Sequence, residues 1–73
     1  MSHTLQVTKP FMIKDRAGNF VKIPKNYILK GEAKCYARNL IEYCDMTCDA
    51  DDKLIAETTI INNLPCEYAR FAD

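Results

Sequence analysis

The stretch from Gly31 to Cys44, Gly-Glu-Ala-Lys-Cys-Tyr-Ala-Arg-Asn-Leu-Ile-Glu-Tyr-Cys, constrains the fold more than any other part of the chain. Apolar residues recur at 33, 36, 37, 40, 41 and 44, the three- and four-residue spacing of a helix with one buried face. At about 100° per residue, these positions and Tyr43 fill an arc of roughly 160°. Lys34, Cys35, Arg38, Asn39 and Glu42 occupy the opposite arc. Gly31 reads as the N-cap, with Glu32 in the first turn, where the positive end of the helix favours an acid. The spacing therefore predicts one amphipathic helix, and such a helix needs a surface to cover its apolar stripe.

The preceding residues supply a sheet. Thr4–Thr8 alternates polar and apolar, a short strand with Leu5 and Val7 inward. Phe11–Lys14 and Phe20–Ile23 are β-prone runs separated by Asp15-Arg16-Ala17-Gly18-Asn19. Asp at the start of that loop and Gly-Asn at its end predict a hairpin. Pro24-Lys25-Asn26 breaks the sheet, and Tyr27-Ile28-Leu29 is a third brief strand or the lead into the helix. Asp45–Asp52 is acidic and poor in helix signals, so it reads as loop. Leu54–Ile61 contains Thr58, Thr59, Ile60 and Ile61 in series, which favours a returning strand over a helix capped by Asp51 and Asp52. Asn62-Asn63 is a turn. Pro65 at a first helical position, ahead of Glu67, Ala69 and Arg70, suggests a short C-terminal helix packing Tyr68 and Phe71. The expected fold class is α+β, a small antiparallel sheet of hairpin plus returning strand packed by one central helix.

Seventy-three residues make one domain, residues 1–73. A hydrophobic content of 48% is too high for a disordered chain of this length and 27% charge. The N-terminus lacks a charged region followed by an apolar run, and no apolar stretch approaches the ~18 residues of a membrane span. A cytoplasmic location is the expectation. Net charge is zero but unevenly distributed. Residues 1–38 carry eight basic and two acidic side chains, and residues 39–73 carry two basic and eight acidic. That asymmetry suggests a charged face for a partner, or self-association into a homodimer aided by zero net charge.

Four cysteines raise the question of metal or disulfide chemistry. On a helix, Cys35 and Cys44 lie about 180° apart and roughly 13 Å along the axis, so they share neither a metal nor a disulfide unless that helix is broken. Cys44, Cys48 and Cys66, with His3 or an aspartate, match no strong zinc spacing. No metal or cofactor is expected, and Cys44 and Cys66 read as small core residues. Cys35 sits among cations, but His3 is the only histidine available as a base. An EF-hand begun at Asp49 fails, because its sixth residue is Leu54 and its twelfth is Ile60. There is no glycine-rich phosphate loop, no Ser/His/Asp set and no evident pair of catalytic carboxylates. The chain is expected not to be an enzyme.

Two binding surfaces follow. One is the charged helix arc of Lys34, Arg38 and Glu42 with the acidic residues Asp45, Asp49, Asp51 and Asp52, suited to a protein partner. The other is the outward face of the first hairpin, where Met12, Lys14, Phe20 and Lys22 are gathered, with Lys25 and Lys30 at its rim. Aromatic side chains among lysines suit stacking and phosphate contacts with single-stranded nucleic acid. A pI near 6.5 and the lack of a known RNA-binding signature weigh for the protein partner.

The hairpin at Phe11–Ile23 followed by Gly31-Glu32-Ala33-x-x-Tyr36-Ala37 resembles small accessory proteins of bacteriophages. That resemblance implies a protein that binds a host protein and inhibits or redirects it, and it carries over no functional residue. The sequence thus predicts a non-enzymatic protein–protein interaction module, with single-stranded nucleic-acid binding as the alternative.

Overall fold

The structure, a computed structural model, describes residues 2–15, 17–49 and 59–73. Among these residues seven strands run in order: β1 (Ser2–Val7), β2 (Phe11–Lys14), β3 (Phe20–Ile23), β4 (Ile28–Arg38), β5 (Ile41–Cys48), β6 (Thr59–Pro65) and β7 (Ala69–Phe71). They form a five-stranded antiparallel sheet, β6-β5-β4-β1-β7, and a separate two-stranded sheet, β2-β3. The only helical element among the described residues is one 3-10 turn, Cys66–Tyr68.

The central helix is therefore absent, and with it the α+β class: the protein is nearly all β. Gly31–Cys44 forms most of the β4–β5 hairpin instead, closed by the two-residue loop Asn39-Leu40. Both loop residues have positive φ, 52° and 67°, as the tight turn that matches strand twist requires. The helical spacing arises because the window straddles this turn. Within β4 the period is two: Leu29, Gly31 and Ala33 face inward, and Lys30, Glu32 and Lys34 are exposed. In β5, Cys44, Met46 and Cys48 are buried at the same period.

Gly31 is not a cap. It lies in mid-strand, between His3 of β1 and Cys48 of β5, where the neighbouring backbone leaves no room for a side chain. Asp45–Cys48 belongs to β5 rather than to a loop. Asp51, Asp52 and residues 54–58 lie outside the described residues, so the Leu54–Ile61 strand is seen only from Thr59 onward. Asn62-Asn63 is no chain reversal. Cys44 pairs with Leu64 and Met46 with Ile61, so β6 carries an extra residue here, and Asn63 has φ 60°. The C-terminal helix shrinks to the 3-10 turn after Pro65, and Ala69–Phe71 returns to pair with β1.

The first hairpin forms as its loop chemistry predicts. Asp15 accepts from the Gly18 amide at 3.1 Å through its carbonyl and from the Asn19 amide at 2.8 Å through its carboxylate, while Gly18 takes φ 90°. Its inward residues Phe11, Ile13 and Val21 pack on the core, and Ile23 is wholly buried. Leu5 and Val7 face that core, as their alternation indicates, beside Leu29, Cys44, Met46, Cys48, Ile61, Leu64 and Ala69. The basic and acidic halves of the sequence do not segregate. Basic β4 lies directly against β5, with Lys34 opposite Asp45.

The C-terminal residues close over β1. Asp73 accepts hydrogen bonds from the Thr4 amide and, at 2.9 Å, from His3 Nδ1. These bonds hold its carboxyl below the usual carboxylate value, with the His3 bond the larger cause and the Thr4 amide next. A depressed folded pKa gives stability that is present above the unfolded value and lost as pH falls through the folded one. Acid titration of the wild type should therefore lose this contribution from just below pH 4 downward. Asp73→Asn should be less stable at neutral pH and should lack that part of the acid slope in denaturation midpoints.

Candidate functional site: the β4–β5 arm

The β4–β5 hairpin is longer than the strands beside it. Pairing of β1 with β4 ends at Ser2–Glu32, and pairing of β6 with β5 ends at Pro65–Tyr43. Among the described residues, Ala37 to Glu42 is paired only within itself. At about 3.4 Å per residue, the tip stands about 20 Å beyond the last β1 pair.

Strand alternation gives this arm two different faces. On one, Tyr36 and Tyr43 stand opposite each other and stack, with ring centroids 5.8 Å apart and planes 24° from parallel. The Arg38 guanidinium lies over both rings, 5.8 and 5.9 Å from their centroids. This stack of cation on π-faces stiffens an otherwise flexible Arg. The Tyr36 hydroxyl donates to Asp45 Oδ1 at 3.1 Å and also contacts Asn63 Oδ1, while the Asn63 amide donates to the same Asp45 oxygen at 2.8 Å. The bulge in β6 is what brings Asn63 to Asp45. Desolvation raises the Tyr36 pKa, and Asp45 adds to the rise, against a smaller opposing effect from Arg38. Tyr36 thus stays a neutral donor and ties the root of the arm to β6.

The opposite face carries Cys35, Ala37, Glu42 and Cys44, with Cys66 alongside. At the tip, Leu40 is fully exposed (102% of its reference surface), and Ile41 next to it is 51% exposed. Leu40, Ile41 and Glu42 form one wall of a shallow open depression whose other wall is Pro65, Cys66 and Glu67.

The residues read from the sequence as a partner surface are divided by this arrangement. Lys34, Arg38 and Asp45 share the tyrosine face, whereas Glu42 lies opposite Ala37 on the other face. A helix would have aligned Lys34, Arg38 and Glu42, but a hairpin reverses direction between the second and the third. Asp49 follows β5, and its amide donates to the Lys30 carbonyl at 2.8 Å. Asp51 and Asp52 lie outside the described residues. The hairpin set is brought together: Met12 pairs with Lys22 and Lys14 with Phe20, all four exposed, and Lys14 Nζ is 5.9 Å from the Phe20 ring centroid. Lys25 is exposed in the turn after β3.

Sequence reasoning missed Tyr36, Tyr43, Leu40 and Ile41 as surface residues, having placed all four in a buried stripe. Asn39 was the available signal, since Asn at the first position of a two-residue loop between alternating runs marks a hairpin. Among the described residues, no group of three or more His, Cys, Asp or Glu side chains could hold a metal ion. No helix there is long and apolar enough to cross a membrane. No protein-family model, curated protein or solved structure matches the chain.

Proposed function

We propose that this is a protein-binding module whose contact element is the β4–β5 arm, with Leu40 and Ile41 as apolar anchors and Arg38, Tyr36 and Tyr43 as the adjoining polar-aromatic surface. The observation that carries the reading is Leu40: a large apolar side chain, fully exposed, at φ 67° in a position that Gly would fill without strain. A left-handed conformation costs a residue with a Cβ about 1–2 kcal/mol. Strain of this kind concentrates where function retains it. Tyr and Arg beside such an anchor are the residue types that dominate binding energy at protein interfaces. The reading takes the module to act in the cytoplasm, as the sequence suggested.

Tagged wild-type protein should retain a partner from its native lysate in stoichiometric amount, and Leu40→Asp combined with Arg38→Ala should reduce that retention at least about tenfold, the equivalent of about 1.4 kcal/mol. Equal retention by the double variant would sink the assignment. Leu40→Gly separates the two roles of this position. It should raise stability by about 1 kcal/mol by relieving the left-handed strain, yet weaken capture.

The register of β2 and β3 supports a second reading, single-stranded nucleic-acid binding through Phe20, Lys14, Lys22 and Lys25. Fluorescence anisotropy with labelled oligonucleotides should then show affinity falling steeply as salt rises, and Lys14→Glu with Lys22→Glu should abolish it. A flat salt response, or no binding at low salt, would remove that reading.

A further inference from the structure

Breaking the expected helix brings together two cysteines that it would have held far apart. Cys35 of β4 stands directly opposite Cys44 of β5. The two-residue loop makes Arg38 and Ile41 a hydrogen-bonded pair, and antiparallel pairs alternate from there. Tyr36–Tyr43 is then hydrogen-bonded and Cys35–Cys44 is not. Non-hydrogen-bonded pairs have their Cα atoms about 4.5 Å apart and the closer side chains, within the span that a disulfide bridges. Beyond the larger effect of burial, Cys35 is close enough to raise the thiol pKa of both Cys44 and Cys66, the latter at the start of the 3-10 turn. Cys35 is exposed, Cys66 half-buried and Cys44 buried.

We propose that Cys35 and Cys44 form a redox-active dithiol that closes to a cross-strand disulfide on reaction with low-molecular-weight disulfides. Exposed Cys35 reacts first: its sulfur attacks one sulfur of glutathione disulfide, a mixed disulfide forms, and one glutathione leaves as thiol, taking up the proton that Cys35 loses. The Cys44 sulfur then attacks Sγ of Cys35, its proton passes to the departing sulfur, and a second glutathione leaves. Two protein thiols are oxidised and one small disulfide is reduced to two thiols.

Burial, and then the Cys35 thiol beside it, push the Cys44 thiol up to about 12. The second step is therefore slow, and the mixed disulfide on Cys35 accumulates before closure. Closure ties β4 to β5 at the root of the arm, whatever the arm binds. Cys48 is buried away from this cluster, and its thiol is raised to about 11 by burial and the neighbouring Asp49.

The test is incubation of the full chain with glutathione disulfide at mildly alkaline pH, followed by intact-mass measurement and non-reducing peptide mapping. The expected sequence is one glutathione adduct on Cys35, then loss of that adduct to a product two hydrogens lighter than the starting protein, linked Cys35 to Cys44. Cys66→Ser should still close, and Cys44→Ser should stop at the adduct. Should Cys44→Ser fail to fold, the wild-type map decides by itself. A Cys35 adduct that decays no faster in the wild type than in Cys44→Ser, or a bridge from Cys35 to Cys66, would overturn the proposal.

Discussion

Gly31→Ala is expected to unfold the protein or to leave it destabilised by more than about 3 kcal/mol. A Cβ at this position would sit 1.9 Å from the Thr47 carbonyl oxygen, 2.9 Å from its carbon and 3.0 Å from Cys48 Cα. All three are backbone atoms of β5, so no side-chain rotation relieves the overlap. Relief requires β4 and β5 to separate where Gly31 also pairs with His3 of β1. The residue's φ of 154° adds a backbone conformation that L residues rarely adopt. A domain of this size has about 5 kcal/mol of total stability to lose. Circular dichroism and urea denaturation of Gly31→Ala decide the matter: a midpoint within experimental error of wild type would show that the two strands are not held so closely.

Ile23→Ala should cost about 2–5 kcal/mol and act first on one part of the molecule. Ile23 has 0% exposure and, among the described residues, is the only fully buried one of the β2–β3 hairpin, which pairs with no other strand there. A two-stranded hairpin is marginal in isolation, so this one is held by side-chain packing rather than by a ladder. Its other inward residues, Phe11, Ile13 and Val21, are only partly buried. Tyr68 helps from the 3-10 turn, edge-on to Phe11 with ring centroids 6.0 Å apart. Truncating Ile23 removes the main anchor and leaves a cavity that the five-stranded sheet cannot collapse into. Hydrogen exchange should show the amides of Phe11–Lys14 and Phe20–Ile23 losing protection before those of β4 and β5. Uniform loss across both sheets would mean that the hairpin and the sheet unfold as one unit.

These effects bear on the proposed arm because they separate fold from function. Leu40 and Arg38 are exposed, so Leu40→Asp and Arg38→Ala should leave the stability set by Gly31 and Ile23 nearly intact. A loss of partner capture in those variants then reports on the contact surface alone.

Short-range chemistry was sufficient wherever the decisive residues were neighbours in the chain. The alternation in Thr4–Thr8 identifies β1 and its inward side, and Asp15 with Gly18-Asn19 closes the first hairpin between the very runs that form β2 and β3. The gathering of Met12, Lys14, Phe20 and Lys22 on one face follows from that loop and the period of two. Residues 31–44 were not legible in this way, because their apolar spacing satisfies a helix while Asn39 and the alternation on either side satisfy a hairpin. Local propensity does not separate those readings. The tertiary structure does, because Leu29, Gly31, Cys44, Met46 and Cys48 are buried as strand residues in a sheet that pairs β4 with β1 and β5 with β6. Once β4 and β5 are strands, the remainder of the site follows from register: Tyr36 stacks on Tyr43, Glu42 parts from Lys34 and Arg38, Leu40 stands at a tip, and Cys35 meets Cys44. The sequence determined the first hairpin and the supply of apolar residues, since both depend on contacts a few residues apart. Only the tertiary structure decided how the middle of the chain is used, because a sheet's pairing energy comes from strands distant in sequence.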